Sequence, residues 1–264
     1  MRPLSREEVC PLNPKPGAPR VAIFSYWNAK YAPLADIARP NWKAYAERHG
    51  YALRFYPGEY HEDPSRPETY GDKGRFELYY DLRGYVDIVV SLDIDSLFMN
   101  EDVTVEDTLA FGCQLDMTTF AAAKHHVTSG VARRGGLRSP MRPPLNFLWT
   151  FAESGPMSGL WIARTDDTTE RHLRFAYAKA AIENNVRHGR VEPNGVSDQD
   201  AMTRLMAVPP FAQTFGSCFS AAEVGFMHGD TYSGGDWIMT CRGGSVGEKL
   251  ATMKEFAAHA LTAR

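Results

Sequence analysis

Between residues 21 and 92 the chain alternates three short apolar runs with two helix-patterned segments, and this alternation constrains the fold more than any other feature. Val21-Ala-Ile-Phe-Ser-Tyr26, Tyr51-Ala-Leu-Arg-Phe-Tyr56 and Val86-Asp-Ile-Val-Val-Ser-Leu92 have the length and apolar content of buried strands. Between the first two, Trp42, Tyr45 and Ala46 recur at helical spacing over Asn41–His49, and Gly50 stands where a helix C′ glycine is expected. A polar, Pro-rich loop over 57–72 follows the second run. Phe76, Tyr79 and Tyr80 then mark one helical face over Lys73–Leu82. Strand, helix, strand, helix, strand in so short a span predicts an α/β domain with a mostly parallel central sheet, right-handed crossovers and flanking helices.

The second half is less regular. Thr104-Val-Glu-Asp107 reads as a capping box opening a short helix. Leu115–Ala121 and Met157–Ala163 read as strands, and Thr168–Val186 as a long helix with Gly189 just beyond it. Val246, Leu250, Met253 and Ala257 form the apolar stripe of a closing amphipathic helix over Val246–Ala263. Residues 1–20 form an extended, Pro-rich lead-in, and residues 21–264 a single domain without repeat or linker.

At 44% hydrophobic and 23% charged, the chain has enough apolar material for a full core. Lys and Arg number 29 against 32 Asp and Glu, a net charge of −3, so there is no basic excess of the kind a duplex-DNA binder carries and no nucleic-acid partner is expected. No apolar run approaches the roughly 18 residues of a transmembrane helix. Met1–Arg20 holds five prolines and no apolar core segment, so it does not read as a secretory leader. Cys10, Cys113, Cys218 and Cys241 are far apart and read as reduced thiols, which points to the cytoplasm.

Three clusters carry possible chemistry. The third strand runs directly into Asp93-Ile94-Asp95. In an extended segment residues two apart point the same way, so both carboxylates would face one side at a strand's carboxyl end, where open α/β sheets bind ligands. Paired carboxylates of this kind suit a hard divalent cation, Mg²⁺ or Mn²⁺, that keeps room for phosphate oxygens. Ser197-Asp198-Gln199-Asp200 has the pattern of a helix start, and the same geometry would turn Asp198 and Gln199 toward a polar substrate at the helix N-terminus. The third cluster, from His228 to Gly244, is glycine-rich around Trp237-Ile-Met and reads as a close-approach loop entering and leaving a strand. Tyr26 and Trp27, just after the first strand, are candidate neighbours of a nucleotide base. His125-His126 has no spaced partner, and the basic loop over 124–144 is a mobile solvated loop or a contact for donor phosphates or an anionic acceptor.

Together these stretches resemble the glycosyltransferase-A fold of nucleotide-diphospho-sugar transferases. Within it, the chain resembles most the galactosyl-, mannosyl- and xylosyltransferase group of yeast and plant cell-wall enzymes. The matching residues are Tyr45-Ala-Glu-Arg-His-Gly50-Tyr51, Lys73 ahead of the D-x-D strand, Ser158-Gly159, Asp198-Gln199, and Gly235-Asp236-Trp237 with Gly243, spanning nearly the whole chain. The resemblance implies a single-domain transferase with a D-x-D motif at a strand end. Asp93 would meet the ribose or metal and Asp95 the metal, with Lys73, Ser158 and Gly159 at the donor. Asp198 and Gln199 would lie beside the transferred sugar. The family often supplies a third metal ligand, a His, four residues after the Asp of its Gly-Asp pair. Here that position is Thr240, so either His228 substitutes from a neighbouring position or the metal is held more weakly, with a non-metal mode or lost activity as the other readings.

The activity implied is transfer of a hexose or pentose from a UDP- or GDP-sugar to a glycan or other hydroxyl-bearing acceptor, using Mn²⁺ or Mg²⁺ and retaining configuration. The alternatives are a haloacid-dehalogenase-type phosphatase, in which D-x-D supplies an aspartyl nucleophile and an acid, and an inactive sugar-nucleotide binder. A metal-facing carboxylate contributes little to a core, so Asp95→Ala is expected to change thermal stability without ligand little, or even to raise it.

Overall fold

The computed structural model describes residues 6–57, 79, 81–112, 120–124, 156–167, 226–229, 232–241 and 244–262. It contains strands β1 (Glu7–Cys10), β2 (Val21–Trp27), β3 (Ala52–Pro57), β4 (Ile88–Leu92), β5 (Ser96–Phe98), β6 (Phe120–Lys124), β7 (Pro156–Arg164), β8 (Phe226–His228) and β9 (Ile238–Thr240). The helices are α1 (Ala32–His49), α2 (Val105–Gly112) and α3 (Val246–Thr262), with a 3-10 turn at Ala29–Tyr31.

The architecture is mixed α/β. Six strands form a central sheet in the order β1-β3-β2-β4-β7-β6. The three strands of the expected βαβαβ heart are present as the parallel neighbours β3-β2 and β2-β4. The sheet as a whole is not mostly parallel, however, because β1-β3, β4-β7 and β7-β6 are antiparallel. The Pro-rich lead-in joins the sheet as its edge strand β1, which buries Cys10. The strand expected over Leu115–Ala121 begins instead at Phe120, and residues 115–119 lie outside the described residues. Of the helix expected over Lys73–Leu82, Tyr79, Asp81 and Leu82 are helical and the remainder is likewise outside.

Helix α1 starts nine residues earlier than its first expected residue, Asn41, and runs through Pro40. An internal proline costs a helix about 3 kcal/mol. Leu34, Ala35 and Ala38, all buried against the sheet, extend the apolar face across that position and offset the cost. Gly50 ends the helix at φ 75°, and a Cβ there would fall 2.0 Å from the carbonyl oxygen of Asn13.

After β4 the chain leaves the central sheet and enters a second one, ordered β5-β9-β8. Helix α1 holds this sheet in place. The Asn41 side chain pairs with the Phe98 backbone in both directions at 2.8 Å, as a neighbouring strand would. The Trp42 indole donates to the Ser96 carbonyl at 2.8 Å. Tyr45 stacks on Phe98 at 3.8 Å, donates to the Val103 carbonyl and accepts from the Trp237 indole. Each of these aromatic side chains contributes about 1.5–3 kcal/mol through burial, which anchors the second sheet on α1. Thr104 caps the start of α2 as expected, its Oγ1 accepting from the Asp107 amide at 2.9 Å. No helix among the described residues is long and apolar enough to cross a membrane.

Candidate functional site

The two parallel strands β2 and β4, with Phe24 opposite Ser91, carry their carboxyl ends to one edge of the sheet. There the chain turns at Ile94 and Asp95 before β5 begins. The D-x-D segment is therefore a turn and not extended, and the two-residue alternation that would set both carboxylates on one face does not apply. Asp93 is half-buried, and its amide donates to the Gly159 carbonyl on β7 at 2.8 Å. This contact brings one of the expected donor-site residues against the turn. Asp95 is buried, and its carbonyl accepts from the Cys241 amide at 3.1 Å.

The Asp95 carboxylate meets a residue that the motif reading did not single out. Lys249 Nζ donates to Asp95 Oδ2 at 2.5 Å, with the two side chains only 16% and 11% exposed. Lys249 lies in the first turn of α3, and local chemistry sets that turn. The Glu248 amide donates to Ser245 Oγ at 3.3 Å, and the Ser245 amide donates to Glu248 Oε2 at 2.6 Å, a reciprocal capping box. The sequence carried a signal for it. A lysine at 249 falls inside the stripe of Val246, Leu250 and Met253, where an apolar residue is the ordinary choice.

Burial works to lower the Lys249 pKa, but the attraction of Asp95 outweighs it and holds the ammonium above its ordinary value. Tyr31, at the end of the 3-10 turn after β2, lies close enough to act on Lys249 in the same direction. Burial, and then the Asp95 charge, push the Cys241 thiol up to about 12, with Lys249 pulling the other way. Asp95 Oδ1 is buried and accepts no hydrogen bond among the described residues.

Thr240 occupies the position where the resemblance expects a histidine. Its hydroxyl accepts from Ser96 Oγ at 3.0 Å, so it ties β9 to β5 beside Asp95. The register Ser96–Thr240–His228 runs across the second sheet. The His228 backbone is thus one strand beyond Thr240, about 10 Å from Ser96 at two strand spacings. Asp236 closes its own loop, accepting from the Ser233 amide at 2.7 Å. Trp27 is buried with its ring edge-on to Phe55, and Tyr26 beside it is half-buried. Ser158 lies on β7 beside Gly159. Lys73, Asp198, Gln199, the His125-His126 pair and loop residues 125–144 lie outside the described residues.

The expected divalent cation does not fit the described donor set. Asp95, its principal ligand, is already neutralised by an ammonium in contact, and a second cation on the same carboxylate would meet like charge at close range. Among the described residues, no group of three His, Cys, Asp or Glu side chains comes together.

No protein-family model matches the sequence, and no curated protein does. Among solved structures, the crystal structure of a glycosyltransferase involved in the glycosylation of the major capsid of PBCV-1 superposes with a TM-score of 0.57 at 11% identity, over 90% of this chain and all 100% of that one. The chain has a glycosyltransferase fold. The apo structure of the bifunctional glycosyltransferase WbbM aligns with a TM-score of 0.48 at 12% identity, over 93% of this chain and 51% of that one. The first of these superpositions carries the glycosyltransferase fold, and the narrower yeast and plant group is not shown.

Proposed function

We propose that this protein transfers a sugar from a nucleoside diphosphate sugar to an acceptor hydroxyl. The observation that carries the reading is the glycosyltransferase fold over 90% of the chain, with the Asp93–Asp95 turn at the carboxyl end of β4. That edge is where parallel strands present their ligand sites, and Gly159, Tyr26 and Tyr31 gather at it or close to it. In this reading Asp93 meets the donor's ribose and Tyr26 lies against its base, UDP- and GDP-sugars being the candidate donors.

The reaction proposed is retaining. The bond from the anomeric carbon to the phosphate oxygen breaks with its electron pair on the departing diphosphate. The acceptor hydroxyl attacks from that same side, and its proton passes to the departing oxygen. Asp198 and Gln199 contribute negative charge and a carbonyl dipole to the positive anomeric carbon, so no strong base is needed at the acceptor.

Incubation with a panel of UDP- and GDP-sugars, read by chromatography, tests this. Release of UDP or GDP together with a glycosylated product supports the transferase. Phosphate release from phosphomonoesters, with nucleotide sugars untouched, would assign a phosphatase instead. The anomeric coupling of the first-formed product decides retention, since an α-donor yielding a β-product sinks it.

A further inference from the structure

The contact between Lys249 and Asp95 stands at the point where a divalent cation was expected. Its components come from opposite ends of the folded chain, the D-x-D turn after β4 and the first turn of α3. The ammonium is held from two directions. The Ser245–Glu248 capping box fixes the start of its helix, and the carboxylate fixes its tip. Asp95 Oδ2 is the acceptor within hydrogen-bond distance of Nζ among the described residues, whereas an ammonium has three N–H donors. Asp95 Oδ1 is buried and accepts no hydrogen bond among the described residues. Thr240, in the expected third-ligand position, is committed to Ser96. The Lys249–Asp95 pair therefore stands at the strand edge where the donor is proposed to bind, and among the described residues the ammonium has N–H donors beyond the one given to Asp95.

We propose that the Lys249 ammonium, held by Asp95, is this protein's own cation for the donor's diphosphate, in place of a divalent metal. It binds phosphate oxygens in the ground state and offsets the negative charge that grows on the departing diphosphate as the anomeric bond breaks. It gives up no proton, since the acceptor's proton goes to the departing oxygen. A fixed ammonium costs no reorganisation at that moment, which is the property that makes preorganised charges effective.

This inference rests on the nucleotide-sugar reading, and calorimetric titration of the whole protein with UDP and with GDP separates the two. Each titration is run in EDTA and again in Mn²⁺. The expected result is binding of one nucleotide in EDTA, with an affinity within about threefold of that in Mn²⁺. Lys249→Met is expected to lose at least tenfold in EDTA, while Lys249→Arg stays within about threefold of wild type. Circular dichroism on each variant confirms that the fold is kept. A gain of tenfold or more on adding Mn²⁺ to wild type, or unchanged nucleotide affinity in a folded Lys249→Met, overturns the inference and leaves the donor reading standing. Failure of both nucleotides to bind wild type in either condition overturns the donor reading, and the inference with it.

Discussion

Removing the Asp95 carboxylate strands a buried ammonium, and the cost can be worked from the geometry. Both side chains are more than four-fifths buried and 2.5 Å apart at the charged atoms. Breaking such a pair by deleting one partner costs about 3–5 kcal/mol, mostly as the desolvation of the charge left behind. Lysine has a flexible stem that can carry its charge toward water, so Asp95→Ala belongs near the lower end, about 3 kcal/mol. Asp95 sits on a tight turn whose carbonyl is pinned by Cys241 and cannot relocate, so Lys249→Met belongs nearer the upper end. The double variant removes both charges and is expected to recover much of the sum, giving a coupling energy of about 2 kcal/mol or more. Urea unfolding at neutral pH reads each value from the midpoint at constant m. At about 2 °C per kcal/mol, Asp95→Ala also lowers Tm by about 6 °C. This reverses the expectation drawn from the motif alone, in which the carboxylate faced a metal and its loss left stability little changed or raised. Single variants within 0.5 kcal/mol of wild type and a strictly additive double variant would refute the argument.

Three further outcomes follow from other parts of the fold. Gly50→Ala should cost at least 2 kcal/mol in urea unfolding, because φ is 75° and the new methyl would strike the Asn13 carbonyl, so the lead-in or the helix end must move. Tyr51→Phe should cost about 1–2 kcal/mol by the same measurement, since the Tyr51 hydroxyl accepts from the Val105 amide at 3.2 Å and donates to Glu106, fixing the start of α2. Burial pushes the Cys10 thiol up to about 11 and Cys241 to about 12, so at pH 8 only about one in a thousand of the former and fewer of the latter are thiolate. Peptide mapping after iodoacetamide treatment should find both unlabelled in native protein and labelled in urea, and rapid native labelling of either would contradict that burial.

What the sequence disclosed follows the range of each interaction. The strands β2, β3, β4 and β7 lie within about two residues of their expected bounds, and α3 opens at its expected Val246, because apolar runs and stripes are local patterns. Pro40 concealed the first turns of α1, since a proline reads locally as a breaker while the burial that overrides it is tertiary. The antiparallel partners β1, β6 and β7 were not legible as such, because strand direction is decided by pairing between distant segments. The site divides the same way. Asp95 stood out as part of a motif, but its partner is 154 residues away and shows in the sequence only as a lysine in an apolar stripe.

The separation between β5 and β9 also orders events during synthesis. The parallel strands β2, β3 and β4 are all made by residue 92, whereas Ser96 must wait for Thr240, a closure over 144 residues that costs about 4 kcal/mol in chain entropy by the logarithmic loop law. Until residues 238–249 are made, β5 has an open edge and Asp95 has neither the Cys241 amide nor the Lys249 ammonium. A ribosome stalled before Lys249 would thus hold a chain in which β5 lacks its β9 partner, a strand edge exposed to chaperones and to aggregation.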